Sequence, residues 1–508
     1  MKKSALLYVL MCLVAFVVNA QYVSDFEENG IYYKITSHTA PYTAAVASSL
    51  PKRYSGSVVI PESVTYNGIT YKVTAIAKGA FWCCRELTSV TIPNTVVVIQ
   101  ESAFVDCIGL KSLSVPNSVK IIEKEAFSSC TGLETLTIGR SLARIDSAAF
   151  AYTKKLSHIE VAAQNTHFKV VDDVLYSASM DILVLYPAAK KGVFTVPKKV
   201  VAIGNSAFCG CEGLTGISFH NNLRSIGENA FVYCSSLTKV CIPKSVRNIA
   251  HSAFGFCSSL SAFVVDAKNR RYTATDGVLY TKHMDTLVAF PAGRKVVTYN
   301  IPSTVTTIGE NAFWGCEIAY IDLPCSVKTV DDYAFHFCTL EKITFGQSLE
   351  SVGNFAFWSC QNLKSVALPN SLKEIGKSAF AVCNSLTDVL IGDSVKKIGE
   401  GAFSGCEKLS SVIFGKSVDI VEDMAFLSCK SLERLVFKGQ KPPTFGLTAF
   451  YLMPSSDAVT VPMGNGKSKK YIPNAPSTEV IVPCGAKNIY SERLAEWYDD
   501  VQEDCETE

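Results

Sequence analysis

An Ala-Phe dipeptide marks fourteen repeat units of this chain, with its Phe at Phe81, Phe104, Phe127, Phe150, Phe208, Phe231, Phe254, Phe313, Phe335, Phe357, Phe380, Phe403, Phe426 and Phe450. Most intervals are 23 residues. A unit of this length is one supersecondary turn that cannot bury its own apolar side, so successive units must stack and the chain reads as a repeat solenoid. Length alone would divide 508 residues into roughly three globular domains. That expectation assumes separate compact cores, which a repeat array does not have.

Aligned on Ala-Phe, the units share a pattern that Leu110-Lys111-Ser112-Leu113-Ser114-Val115-Pro116-Asn117-Ser118-Val119, then Ile122, Ala126-Phe127 and Cys130, shows in full. Alternating aliphatic and polar residues after the Leu predict a short strand with one face inward. Pro or Gly then ends the strand and turns the chain. The Leu and Phe fill the space between units, each worth roughly 1.5–3 kcal/mol when buried. Two intervals are long, Phe150 to Phe208 and Phe254 to Phe313, and their inserts match. Asp173-Val174-Leu175-Tyr176 with Met180 to Ala188 corresponds to Gly277-Val278-Leu279-Tyr280 with Met284 to Ala292. Paired apolar runs around a short polar segment predict a β-hairpin in each insert.

These residues resemble the BspA-like leucine-rich repeats of exported bacterial proteins. Ile301-Pro302-Ser303-Thr304-Val305, Ile308-Gly309 and Ala312-Phe313-Trp314-Gly315-Cys316 follow that pattern almost position for position. The resemblance covers roughly residues 57 to 500 and implies a right-handed leucine-rich-repeat solenoid with a parallel β-sheet on one face. Tyr32-Tyr33-Lys34-Ile35 with Tyr54 to Pro61 resembles the family's N-terminal cap, and Pro442-Pro443, Val482-Pro483-Cys484-Gly485 and Trp497 its C-terminal cap. The expected organisation is a signal peptide over 1–20, an N-terminal cap over 21–72 and a solenoid over 73–437. Hairpin inserts fall near 163–197 and 267–300, and a β-rich C-terminal cap covers 438–508.

Met1-Lys2-Lys3, an apolar run from Ala5 to Val18 and Val18-Asn19-Ala20 are the parts of a cleavable secretory signal, with the cut expected after Ala20. Cys12 lacks the small preceding residue of a lipidation site, and no later stretch approaches the roughly 20 apolar residues a membrane helix needs. Charge is balanced, with 48 basic and 46 acidic residues. No electrostatic footprint for nucleic acid or an anionic membrane follows from it.

Of the 19 cysteines, twelve stand three residues after a repeat Phe, among them Cys107, Cys130 and Cys383. Free Cys is a small, commonly buried side chain, and one thiol per unit along a line does not make a tetrahedral zinc site. Packed thiols are therefore expected, as Thr153 and Met453 at the same position support, while pairing between neighbouring units stays open on spacing. Cys484 and Cys505 flank the end of the C-terminal cap and would be oxidisable in an exported protein. Cys209, Cys241 and Cys325 fall singly and receive no role. The seven histidines, at 38, 158, 167, 220, 251, 283 and 336, show no paired metal spacing and read as surface or loop residues. Gly466-Lys467-Ser468 mimics the end of a phosphate-binding loop, but Val461 stands where the first Gly belongs, and the segment reads as a polar basic loop. No catalytic residue, metal site or cofactor is expected.

Specificity must then lie in outward positions. Two and four residues after each repeat Leu stand Ser and Thr in the early units, then His158 and Glu160, Lys239, Tyr320 and Asp322, Lys342, Asp388, and Arg434. Extended solenoid sheets are binding surfaces in many repeat proteins, although Ser and Thr also simply suit an exposed strand. Trp82, Trp314 and Trp358 directly follow a repeat Phe and form a second candidate patch. Phe104, Phe127 and Phe380 with their cysteines are expected to build the fold. The resemblance implies a non-enzymatic adhesion or interaction protein, secreted or on the cell surface. Its expected partners are proteins, including extracellular-matrix proteins and surface proteins of other bacteria. A periplasmic or envelope scaffold, or a carbohydrate-binding accessory protein stacking glycans on Trp314 and Trp358, is the alternative.

Overall fold

The computed structural model describes residues 24–49, 53–452, 459–463, 467–473, 478–495, 497–498 and 501–505. The expected leader with its cut after Ala20, and Met453, lie outside the described residues. The chain divides into two compact units, Met1–Ser236 and Leu237–Glu508.

In the first unit, the Leu-x-x-Leu-x-Val segments form parallel strands at Ser112–Val115, Thr135–Ile138 and His158–Val161. Ser112, Thr135 and His158 share one register position, and Ser114, Thr137 and Glu160 another. The alternating aliphatics, Leu113, Val115, Leu136, Ile138 and Ile159, point the other way. All five are essentially inaccessible, as period-2 patterning requires. One parallel sheet was expected, and the structure adds a second. The Ile that follows Ser-Val in each coil builds a narrow ladder of two-residue strands, Val98–Ile99, Ile121–Ile122 and Arg144–Ile145. The N-terminal strand Ile69–Ile76 joins its edge in parallel, after an antiparallel pairing with Ser63–Tyr66.

The Ala-Phe corner closes the coil without a strand. Ser102, Phe104 and Asp106 donate their N–H groups to Lys124, Ala126 and Ser128 carbonyls of the next coil at 3.0, 2.7 and 3.0 Å. Ser102 and Asp106 sit at φ 56° and 62°. This left-handed backbone on either side of the Phe turns alternate N–H groups in one direction. Between them the rings stack, Phe81 on Phe104 at 4.6 Å and Phe104 on Phe127 at 4.9 Å.

The second unit repeats this plan. Its rings stack from Phe290 through Phe313, Phe335, Phe357, Phe380, Phe403 and Phe426 to Phe450 at 4.7–5.3 Å. The solenoid expected to stop at 437 thus runs on through the coil of Phe450. Its wide sheet contains Ser365–Ala367, Asp388–Leu390, Ser411–Phe414 and Arg434–Phe437, and then Glu479–Pro483 and Val501–Asp504. Where Gly replaces Pro after a strand, the preceding coil lies too close for a side chain: a Cβ on Gly392 would meet Pro369 O at 2.2 Å.

Each insert is a three-stranded antiparallel meander, Phe168–Val171, Val174–Ser177 and Ile182–Leu185 in the first unit. Tyr272–Thr275, Val278–Thr281 and Thr286–Ala289 correspond to it in the second. The last strand of each joins the narrow ladder in parallel, and the residue directly after it takes the place of the repeat Phe. Tyr186 stacks on Phe208 at 4.8 Å, and Phe290 on Phe313 at 5.0 Å. Two expectations are corrected. Lys467 and Ser468 open the strand Lys467–Pro473, paired antiparallel with Val459–Met463, rather than forming a basic loop; Gly466 lies outside the described residues. His336 is buried, at 8% exposure, because it follows Phe335 on a corner packed with other rings.

Candidate binding surface

The fold leaves two outward rows of side chains on each wide sheet, since every second strand residue faces away from the core. In the first unit the rows run Ser112, Thr135, His158 and Ser114, Thr137, Glu160. His158 is exposed, and both its ring nitrogens are engaged. Nε2 is 3.0 Å from Glu160 Oε1, and Nδ1 is 2.7 Å from Asp173 Oδ1 on the insert. Hydrogen bonds to Glu160 and then Asp173 raise its pKa above the ordinary imidazole value. Burial works to raise the Asp173 pKa, but hydrogen bonds from His158 and Lys190 outweigh it and hold the carboxyl below its usual range. Lys190 completes the cluster at 3.1 Å from Asp173. Asp173 and Lys190 were not legible as site residues, because only the insert's fold returns them to the sheet. Beside them is an open cleft of about 470 Å³ between the corner after Tyr152 and the insert, lined by Lys154, Lys155, Lys191 and Glu212 among others. Lys154 and Glu212 pair across it at 2.6 Å.

In the second unit, Tyr320, Asp322 and Lys342 are outward, with Tyr320 in register with Lys342 and Asp322 with Thr344. Tyr320 is 41% exposed. One row then reads Ser365, Asp388, Ser411, Arg434, Glu479 and the other Ala367, Leu390, Ile413, Val436, Ile481. Arg434 and Glu479 pair at 3.4 Å. Lys239 and Cys241 are outward on Lys239–Ile242, a strand paired only with Ala262–Val265 within this unit.

The tryptophans are less available than their positions imply. Arg53 covers the Trp82 ring at 5.1 Å and donates to the Trp82 carbonyl. Trp314 lies against Gly255, where a Cβ would come within 2.3 Å of the indole. It also stacks parallel to His336 at 5.9 Å and meets Phe256 edge-on at 5.4 Å. Trp358 contacts His336 and Phe337 at 4.7 and 5.0 Å. This aromatic corner joins the coils on either side of the second insert, as Tyr152 and Tyr233 do at the first, edge-on at 5.6 Å. Burial drives the His336 pKa down to about 3.

Phe104, Phe127, Phe380, Cys107, Cys130 and Cys383 are wholly inaccessible and belong to the interior. Cys484 and Cys505 are joined in a disulfide that fixes Val501–Asp504 beside Glu479–Pro483.

The family profile described as BspA type leucine rich repeat region (6 copies) matches residues 61–177, 190–277, 288–397 and 374–492. Among solved structures, a leucine rich cell surface protein from Faecalibacterium prausnitzii A2-165 is similar, with 26% identity over 81% of this chain and 94% of its own, at a TM-score of 0.43. The pneumococcal vaccine antigen PcpA aligns with 18% identity over 94% and 98%, at 0.40. A leucine-rich repeat protein from Bacteroides ovatus aligns with 26% identity over 82% and 94%, at 0.37. A search of curated proteins found no match.

Proposed function

This chain belongs to the BspA-type leucine-rich repeat family, and from that premise we propose that it is an exported protein, secreted or held at the cell surface, that binds other proteins without catalysing a reaction. The observation that carries the reading is the contrast between its two sets of positions. Ala, Phe and Cys are repeated and buried in coil after coil, while the outward rows change from hydroxyls to charges to aliphatics along the chain. Such an arrangement spends its constant residues on stacking and leaves an extended, chemically varied surface for many shallow contacts. Adhesion to extracellular-matrix or bacterial surface proteins fits that mode of contact.

The test has two parts. Cell fractionation with surface proteolysis should place the chain outside the cell. Photo-crosslinkers at Thr135, Tyr320 and Ser411 should capture partner proteins from matrix or bacterial surface extracts, while crosslinkers at Glu123 and Lys373, outside the wide sheets, should not. Retention of glycan with no protein captured from any position would sink the reading.

A further inference from the structure

We infer that the outward row Ala367, Leu390, Ile413, Val436 and Ile481 is a docking stripe for an amphipathic α-helix with acidic residues along one flank. The inference rests on the protein-binding reading and names the partner's chemistry at one of its surfaces.

The stripe is bounded. The five residues occupy one register position on five adjacent parallel strands. The row continues into Gln502 on the last strand, and the corresponding outward residues of earlier coils, Asp322 and Thr344, are polar. No other outward row of a wide sheet among the described residues carries five apolar side chains in succession. Ala367 is exposed, Leu390 is 38% exposed and the other three are half-buried. Aliphatic side chains aligned in this way form a continuous apolar band, where scattered ones would need no explanation.

Spacing selects the occupant. Neighbouring strands are about 4.8 Å apart, so the stripe offers one apolar contact every 4.8 Å or so over about 19 Å. A helix lying across the strands presents its apolar face at intervals of about 5.4 Å, close enough to keep one side chain near each strand. An extended peptide in the same direction repeats its facing side chains at about 6.8 Å and falls out of step within two strands. A second copy of the chain is a poorer occupant, because a stable dimer needs roughly 800 Å² from each partner and five side chains cannot supply it. Charge sets the orientation. Lys416 and Lys438 are exposed at the carboxyl ends of two adjacent strands of the stripe, and neither forms an ion pair among the described residues. On the other side, Arg434 is already paired with Glu479 at 3.4 Å. Acidic residues on the helix flank facing the two lysines would complete the contact.

The probe is a labelled synthetic helix of about 16 residues, with Leu at i, i+3, i+4 and i+7 spacing and Glu along one flank, titrated into the full chain by fluorescence anisotropy. Saturable binding is expected, with the peptide gaining helicity by circular dichroism. Ile413→Asp should weaken it about tenfold or more, and the milder Ile413→Thr and Leu390→Ser, which suit an exposed strand, should weaken it in the same direction with an unchanged melting curve. Lys416→Glu with Lys438→Glu should cost roughly three- to tenfold and restore binding to a Lys-flanked helix. Absence of saturable binding, indifference to Ile413→Asp, or equal affinity for a proline-containing extended peptide would overturn the stripe. So would a dimer abolished by Ile413→Asp, which makes the occupant a second copy. The protein-binding reading falls separately, only if the crosslinkers capture no protein.

Discussion

The thiol of Cys130 donates to the carbonyl oxygen of Phe104, one coil back, at 3.1 Å. The same oxygen accepts the backbone N–H of Cys107 at 3.2 Å, so both of its lone pairs are used in a fully buried corner. Cys107 reaches Phe81 O at 3.1 Å, Cys360 reaches Phe335 O at 3.1 Å and Cys406 reaches Phe380 O at 3.2 Å in the same way. The position therefore needs a residue small enough for the interior that also carries a donor. At Thr153 the hydroxyl turns instead to Phe150 O of its own coil, at 2.8 Å, where the insert follows.

Replacing one rung should have a graded effect. Cys383→Ala removes the bond to Phe357 O and leaves a small void, and should cost about 1–2 kcal/mol. Phe380→Ala interrupts the stack at both faces and should cost about 3–5 kcal/mol. Urea denaturation followed by fluorescence and circular dichroism checks both. Equal losses would mean that the thiol does more than fill space and donate.

Thiol chemistry should separate inside from outside. Among the described residues, Cys241 and Cys325 are the exposed free thiols. Burial pushes Cys84 up to about 11 and Cys209 and Cys338 up to about 12. A native chain starting at Gln21 should react with Ellman's reagent at two thiols, and at the others only once unfolded. Because the folded values are raised, their contribution to stability is complete below the unfolded thiol range near 8.5 and is lost as pH rises through the folded values. Melting temperature should fall above pH 9, and a flat profile would contradict the burial of these thiols.

His336 acts at the acid end. Its folded pKa of about 3 lies below the ordinary 6.5, so the native state binds fewer protons than the unfolded chain between those values. Stability should decline as pH drops below about 6.5, by a few kcal/mol at most near pH 3. His336→Phe keeps a ring among Trp314, Phe337 and Trp358 and should lose less stability than wild type between pH 7 and 4. Parallel losses in the two proteins would show that the buried imidazole is not the titrating group.

Reduction should release the carboxyl end. Cys484–Cys505 closes a loop with a sequence separation of 21, for which loss of the bond costs about 3 kcal/mol on the chain-entropy account. Cys505→Ser should speed hydrogen exchange at Val501–Asp504 and leave exchange at Asp388–Leu390 unchanged. Exchange accelerated equally at both would mean the last strand supports the whole sheet.

Much of this was legible in the chain because a repeat states the same physics many times. Period-2 aliphatics located the wide strands, and Ala-Phe-x-x-Cys located the buried corner. The narrow ladder was harder to see, since two residues per coil cannot display a period. Tyr186 was hidden by replacement of the Phe, and Phe290, though it follows Ala289, by the Pro after it in place of the usual spacing, although the matching Val-Leu-Tyr segments of the two inserts put them at the same place. Tryptophans at 314 and 358 misled in the opposite direction, because position relative to Phe says nothing of what the neighbouring coils press against them. His158 was recognisable as outward, but its partner Asp173 comes from a segment whose return to the sheet depends on a meander.

At the Ala-Phe corner, the alternate N–H groups that bind between coils all point toward the following coil. Each stack therefore has polarity: carbonyls are offered at its amino end and N–H groups at its carboxyl end. Arg53 meets the first of these demands by donating to Trp82 O, and Asp423 accepts from Thr448 N near the last, at 3.2 Å. Stripped of such caps, two like ends could not satisfy one another. Any end-to-end assembly through this corner would have to run head to tail.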